Sequence, residues 1–362
     1  MGLIKYKFRK FWEIKKEIKT EGNVNCILYF EKNKLLYSIK KSIKLYDIEK
    51  DRNILNIDVH QREINDLLKI NESIFISSSY KTIQFIELLN DFSFFIIIKR
   101  LDIHSNEINQ TIKLKNDNFY ATCSNDKKIK IFQFDYEKKD EGLITNILYD
   151  NSEVLSILEL PNSNIVSISK KGYLNFWECK EFNYKKIKTL KGFKNSLHNC
   201  IYLLNEDIIL IGTKNIIFLV DIITKETTQK ILIDYSAYSI DQFNGNIFLG
   251  LKKNINSCLL YEYKHLKKFD KMNFECFSKG KDKCLEISFI KAIDEKMVVT
   301  SNKNSFIKIW KITEQKPKIL KIENDPKYES EEEYDSEDET PGKDDYIYNK
   351  INNYEDDERD YI

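Results

Sequence analysis

Glycine is scarce in this chain, ten residues in 362, and proline is scarcer at four. None of the glycines falls into G-x-G-x-x-G or G-x-x-x-x-G-K, so no backbone loop of the kind that cradles a nucleotide phosphate is encoded. Histidine is equally sparse. His60 and His104 precede expected inner strands, where a structural role is the simpler reading, and His198 and His265 lack any nearby carboxylate or nucleophile pattern. The seven cysteines (Cys26, Cys123, Cys179, Cys200, Cys258, Cys276, Cys284) are odd in number and scattered, and no C-x-x-C pair occurs. That speaks against a disulfide framework or a zinc site and for buried thiols in a reducing compartment. The longest strongly apolar run, Phe92 to Ile98, is far short of a membrane span. The basic start, MGLIKYKFRKFWEIKKE, has no apolar core for a secretory leader, and Tyr6 stands where a myristoylation signal wants Ser or Thr. These absences lead us to expect a non-enzymatic protein without cofactor or membrane, in the cytoplasm or nucleus.

Charge is plentiful but nearly cancels, at 58 basic against 57 acidic residues. The balance hides an asymmetry. From Glu323 to Ile362 there are 17 acids and 4 bases, which leaves the rest of the chain at a net charge of +14. Pro317 and Pro326 mark the change, and SEEEYDSEDETPGKDDYIY beyond them has too few aliphatics to offset its ordering entropy. We therefore divide the chain into a basic lead-in (1–11), a folded body (12–322) and a disordered acidic tail (323–362). Ser330 and Ser336 are each followed three residues later by an acid, Glu333 and Glu339, as acid-directed kinases prefer.

What the body does contain is repetition. Tyr120 to Phe134, YATCSNDKKIKIFQF, reads as a strand, a tight polar turn (Ser124 to Lys128) and a second apolar strand. Aligning on Phe132 gives Tyr46, Ile86, Phe132, Trp177, Val220, Tyr261 and Trp310 as equivalent positions, with gaps of 40, 46, 45, 43, 41 and 49 residues. A period in this range, with four short strands per unit, is a propeller pattern. On these residues the chain resembles the WD-repeat β-propeller family. Trp177-Glu178 and Tyr46-Asp47 stand at that family's Trp-Asp pair, and Lys191-Gly192-Phe193 at its Gly-His pair. The resemblance implies an all-β, seven-bladed β-propeller closed by an N-terminal strand that pairs with the last blade. It also implies a structural hydrogen-bond network, carried here by His104, Thr122 and Asp126 and shortened because Phe132 replaces the tryptophan; Trp177 and Trp310 keep theirs. The apolar segment Phe92 to Ile98 is expected as an outer strand covered by a neighbouring loop, and Phe269 to Lys283 as an insert between the sixth and seventh repeats.

Sorting the turns gives the functional expectation. The turns between second and third strands carry Lys40, Lys41, Lys81, Lys127, Lys128, Lys170, Lys171, Lys214, Lys252, Lys253 and Lys303, with Asp126 their single acid and no arginine. The turns between first and second strands carry seven acids and two lysines. A Lys-rich chain places lysine in many solvated turns, but a closed ring would gather these on one face and raise its potential. Acidic residues in the loops between blades, among them Glu63, Glu107 and Glu153, dilute that field. The expected role is an intracellular scaffold, monomeric within a larger complex, that binds protein partners through acidic or phosphorylated segments. The alternative is an RNA-associated propeller in ribosome or RNA processing. The tail, tethered at high effective concentration, would compete for the lysine face. Removing residues 323–362 should then strengthen salt-dependent binding of an acidic peptide, measured by fluorescence anisotropy; unchanged affinity would rule the competition out.

Overall fold

Short runs rich in β-branched and aromatic residues, punctuated by Asn, Asp, Ser and Lys, favour extended backbone and tight turns over helix. In the computed structural model the described residues are 10–30, 33–138, 142–232, 236–243, 246–252, 258–262, 271–273, 287–294, 296–302 and 305–314, and none of them is helical. They belong to one compact unit, Arg9–Gln315. The acidic tail with Ser330 and Ser336, together with Lys253 and Lys303, lies outside them, and Lys252 is described by its backbone alone.

The described strands form seven four-stranded antiparallel sheets. The N-terminal strand is β1 (Lys10–Lys19). The first consecutive sheet comprises β2 (Val24–Phe30), β3 (Lys34–Ile39), β4 (Ser42–Asp47) and β5 (Arg52–Asp58). The second is β6 (Ile64–Lys69), β7 (Ile74–Ser79), β8 (Thr82–Leu89) and β9 (Phe94–Asp102), and the third β10 (Ile108–Lys113), β11 (Phe119–Ser124), β12 (Lys128–Gln133) and β13 (Leu143–Tyr149). Then follow β14 (Val154–Glu159), β15 (Ile165–Ser169), β16 (Tyr173–Lys180) and β17 (Asn183–Lys191), and β18 (Ser196–Leu203), β19 (Ile208–Thr213), β20 (Ile216–Asp221) and β21 (Glu226–Leu232). The sixth sheet holds β22 (Ser236–Phe243), β23 (Asn246–Lys252), β24 (Cys258–Glu262) and β25 (Lys271–Asn273). The last holds β26 (Ile287–Asp294), β27 (Met297–Asn302) and β28 (Phe306–Glu314), with β1 as its outer strand. In six sheets side chains are described in every strand; in the sheet of β22 to β25 the outer two strands are described by backbone only.

The first strands of the sheets, β2, β6, β10, β14, β18, β22 and β26, neighbour one another in that order, and β26 returns to β2. The result is an all-β propeller whose ends are clasped by β1 lying antiparallel to β28, with Ile18 opposite Ile307 and Ile14 opposite Trp310. The closing strand expected from the sequence is therefore present; it begins at Lys10. Middle strands are covered on both faces, so β3, β7 and β15 are buried at every residue and read as continuous apolar or small-residue runs. The core lies between neighbouring sheets. Phe30 of β2, for example, meets Phe75 of the next sheet edge to face at 6.1 Å, and Phe85 meets Tyr120 at 5.3 Å.

Each inner strand slips in its pairing near its start, by a one-residue bulge in six of them and by a wider irregularity in β18. Pairing slips between Val24 and Cys26, Ile64 and Asp66, Ile108 and Gln110, Val154 and Ser156, Ser196 and Ile201, Ala237 and Ser239, and Ile287 and Phe289. A bulge leaves one residue out of the ladder and re-aims its side chain. Here the freed side chains reach the next inner strand. Asn65 donates to Ile108 O at 2.9 Å and Asn109 to Val154 O at 2.6 Å. Just after the bulge, Asp66 accepts from the backbone of Thr111 at 2.7 Å and Gln110 from Ile157 at 2.7 Å, and two residues further along its own strand Asp241 accepts from Ala292 at 2.8 Å. A second bulge lies on the outer strands, opposite Tyr46, Ile86, Phe132, Trp177, Val220 and Trp310. Six of the seven positions that define the sequence repeat thus mark where the outer edge twists away.

Two expectations need correction. Phe92 is buried, but in the turn before β9, where it adopts a left-handed φ of 69°; within β9 itself Phe94, Ile96 and Ile97 are 61, 39 and 46% exposed, so this outer strand is not covered. An outer strand has a neighbour on one side only, and no described loop crosses it. The segment read as an insert, Phe269 to Lys283, contributes Lys271–Asn273 as the outer strand β25.

Asn109 is 4% exposed and also bonds Asn125 Oδ1 at 2.8 Å, so Asn109→Ala removes two buried hydrogen bonds. We expect it to lower unfolding free energy by about 1–3 kcal/mol, seen as a lower urea midpoint at unchanged m-value, with the half-buried Asn65→Ala losing less.

Candidate functional site

The described turns between second and third strands rise together at one end of the ring, because they bond to loops that lead into inner strands. Lys40 O accepts from Ile64 N, Lys81 O from Ile103 N and His104 N, Lys127 O from Asp150 N, and Lys214 O from Ala237 N. Gly172, in the turn after Lys170 and Lys171, has a φ of 80°, and a Cβ there would sit 2.6 Å from Lys194 N. Only glycine lets that turn close onto its neighbour. Lys40 and Lys127 likewise occupy left-handed turn positions, φ 52° and 68°, which push their side chains outward at the tips.

The described lysines of this set differ in their surroundings. Lys40, Lys41, Lys127, Lys171 and Lys214 are exposed and form no ion pair among the described residues. Lys170 faces Glu153 at 3.6 Å; Lys128 is half-buried over the Tyr149 ring at 5.5 Å, and Lys81 lies 5.1 Å from the Tyr80 ring. The central cavity, about 900 Å³, reaches this face at Lys214, Glu63, Glu107 and His198. Among the described lysines of the expected ring only Lys214 lines the mouth itself, and two carboxylates share it; the other described ones stand further out. Their field is spread over the face instead of focused into the channel. Glu107 is partly engaged, since its carboxylate accepts from Asn125 at 2.8 Å.

On the opposite face many acids and amides are used to build turns. Asp47 accepts from the backbone of Glu49 and Lys50 and pairs with Lys34 at 3.0 Å, and Asp221 and Asp135 close the equivalent turns of their sheets. Asn71, Asn205 and Asp294 cap first turns in the same way. Acid and amide side chains are chosen there because they hydrogen-bond their own backbone two or three residues on.

The structural network predicted for the third sheet is present. His104 Nδ1 lies 2.9 Å from Asp126 Oδ2 and its Nε2 2.9 Å from Thr122 Oγ1, while Thr122 donates onward to Lys130 O instead of accepting an indole N–H. The two tryptophans supply the missing half in their own sheets: Trp177 Nε1 donates to Ser167 Oγ and Trp310 Nε1 to Thr300 Oγ1, each at 2.9 Å. His60 bonds Ser77 at 2.8 Å in the second sheet. Burial pushes the Asp126 carboxyl up, but bonds from His104 and from the Ser105 and Lys128 amides outweigh it and hold it well below the usual range. Burial also keeps the Cys26, Cys123 and Cys200 thiols protonated, Cys200 with a pKa raised to about 12.

What the sequence reading missed are side chains that act across repeats: Asp66, Gln110 and Asp241 between inner strands, and Arg62, Tyr80 and Arg100 around one cavity. A signal for the first group exists in the recurrence of an asparagine at the second inner-strand position, Asn25, Asn65 and Asn109.

Burial, followed by the positive charge of Arg100, lowers the His60 pKa to about 4. An unfolded chain takes up that proton near pH ~6.5, so stability present above ~6.5 is lost as pH falls toward 4. The expected decline from this group between pH 7 and 4 is about 2–3 kcal/mol, measured by urea unfolding, and His60→Asn should flatten it; an equal slope in the variant would assign the decline elsewhere.

No helix among the described residues is long and apolar enough to cross a membrane. Comparison of the sequence with protein-family models and with curated proteins gave no match. The propeller is thus established by the arrangement of its antiparallel sheets.

Proposed function

We propose that the chain is a seven-bladed WD-repeat-type propeller that serves as a non-enzymatic scaffold in an intracellular assembly. It takes acidic or phosphorylated protein segments on its lysine-bearing face, needs no cofactor and works as a single ring within a larger complex. The observation that carries this reading is the convergence of Lys40, Lys41, Lys127, Lys171 and Lys214, exposed and without an ion pair among the described residues, on the end where successive turns and entry loops are bonded together. Solvated ammonium groups spread over a rim attract an acidic segment diffusely and speed its encounter.

Several of the described groups that could do chemistry are occupied otherwise, which supports the non-enzymatic part. His60 and His104 are bound to hydroxyls and a carboxylate within their own sheets. The thiols of Cys26, Cys123 and Cys200 are buried and protonated, unlike reactive cysteines, which sit in exposed electropositive settings. Free buried thiols also suit a cytoplasmic or nuclear setting.

Charge reversal of Lys127, Lys171 and Lys214 to Glu should weaken binding of a short fluorescein-labelled acidic peptide by about tenfold or more and flatten its salt dependence. If single-stranded RNA instead binds more tightly, with a steep salt slope abolished by reversing Lys127, Lys170 and Lys252, the RNA reading replaces this one.

A further inference from the structure

Arginine is rare here, five residues in the whole chain, yet two of the five line the same cavity. The cavity, about 480 Å³, opens beside the second sheet where the loop after β5 (Arg62), the turn between β7 and β8 (Tyr80, Lys81) and the outer strand β9 (Arg100) come together. The Arg62 guanidinium carbon lies 5.5 Å and the Lys81 ammonium 5.1 Å from the centre of the Tyr80 ring, which holds both cations against the opening. Arg100 stands near enough to His60 to help keep that imidazole uncharged. The one carboxylate in the lining, Asp102, is 3.6 Å from Arg100, and both side chains are more than half exposed, so the pair is weak and exchangeable. Three cations therefore face one carboxylate.

A second feature sets the shape of the ligand. Gln84 lines the cavity at 1% exposure; its amide nitrogen donates to Val59 O at 2.6 Å, and its amide oxygen is buried with no hydrogen-bond donor among the described residues. An inorganic phosphate has only a hydroxyl proton to offer it, whereas a polypeptide brings backbone N–H groups. Guanidinium forks match the oxygens of a phosphoryl group bidentately, and a charge near −2 suits three cations better than a single carboxylate does. The volume lies within the ~300–1,000 Å³ of ordinary ligand clefts and so admits a modified side chain with its flanking backbone. Nucleic acid fits less well, because the aromatic ring in the lining already has two cations against it and is not free to stack on a base.

We propose that this cavity is a phosphoryl-binding site that reads a phosphorylated serine or threonine in a partner polypeptide. Arg62 and Arg100 grip the phosphoryl oxygens, Lys81 adds charge, and a backbone N–H of the bound segment satisfies Gln84. The inference deepens the scaffold reading and rests on it: the lysine rim gathers acidic segments and this cavity selects the phosphorylated ones.

Selective ¹⁵N-arginine labelling of the full chain yields one side-chain Nε–H signal per arginine, and so a sparse spectrum. Titration with N-acetyl-phosphoserine N-methylamide should shift the Arg62 and Arg100 signals and leave Arg52 in place, while the serine and glutamate analogues bind about tenfold or more weakly. Arg62→Ala and Arg100→Ala, both at exposed side chains, should each reduce the phosphoserine affinity by about tenfold. Equal shifts with the unmodified serine analogue, tighter binding of adenosine 5′-monophosphate than of phosphoserine, or shifts spread equally over Arg52 would each overturn the proposal. Failure of the rim is separable: if acidic peptides bind and depend on Lys127, Lys171 and Lys214 while phosphoserine leaves Arg62 and Arg100 unmoved, the scaffold stands and this site falls.

Discussion

Closing a ring of sheets requires that each inner strand bond to its own sheet and also to the strand beside it in the next sheet. Each inner strand pairs within its own sheet on one side only, so alternate N–H and C=O groups on its other side are left for the neighbouring strand to satisfy. The slip in pairing at the head of every inner strand helps to supply side chains for that task. In β6 and β10 it takes one residue out of register, so Asn65 and Asn109 can donate sideways, and the next residues, Asp66 and Gln110, accept from the neighbouring backbone, as Asp241 does from two residues further along β22. Buried polar groups are tolerated around the channel because each of these finds its partner across the gap. The clasp of β1 on β28 then secures the ring against opening.

With the ring held at its centre, the two faces are free to differ. The face of first and third turns spends its acids and amides on capping: Asp47, Asn71, Asp135, Asn205, Asp221 and Asp294 all accept from backbone N–H groups close by in sequence. The other face is shaped by turns that pack onto the entry loops, where Lys40 and Lys127 sit at left-handed tips and point away from the protein. The charge contrast thus has a structural origin on one side and leaves uncommitted cations on the other. Those cations, with the arginines beside the second sheet, are charge not already spent on the fold.

The hydrogen-bond network of the resembled family is distributed among sheets here instead of complete in any one. The third sheet keeps the histidine, threonine and aspartate, while the fourth and last keep the indole donor. This dispersal is compatible with a stable ring because the main cohesion lies elsewhere, in apolar clusters that span neighbouring sheets, such as Phe30 with Phe75 and Phe85 with Tyr120 and Phe134. A chain poor in glycine and rich in phenylalanine and tyrosine fills the gaps between sheets with rings, and each ring buries more area than one hydrogen bond contributes.

Period and strand pattern were legible from the sequence alone, because period-2 patterning and turn chemistry are local: the hairpin at Tyr120 to Phe134 and the equivalent positions at Tyr46, Phe132, Trp177 and Trp310 could be read in one dimension, whereas the His104–Thr122–Asp126 set and the closing role of the N-terminal strand were implied by the resemblance to a known family. Exposure of Phe94, Ile96 and Ile97 could not, since whether an outer strand is covered depends on loops from elsewhere in the chain. Nor could the sharing of the channel mouth between Lys214 and two glutamates, or the meeting of Arg62 with Arg100, because those residues lie on different elements and their distances are set only when the sheets close into a ring. Repetition along the chain determined the sheets; the rotation of each sheet against the next decided which charges face one another.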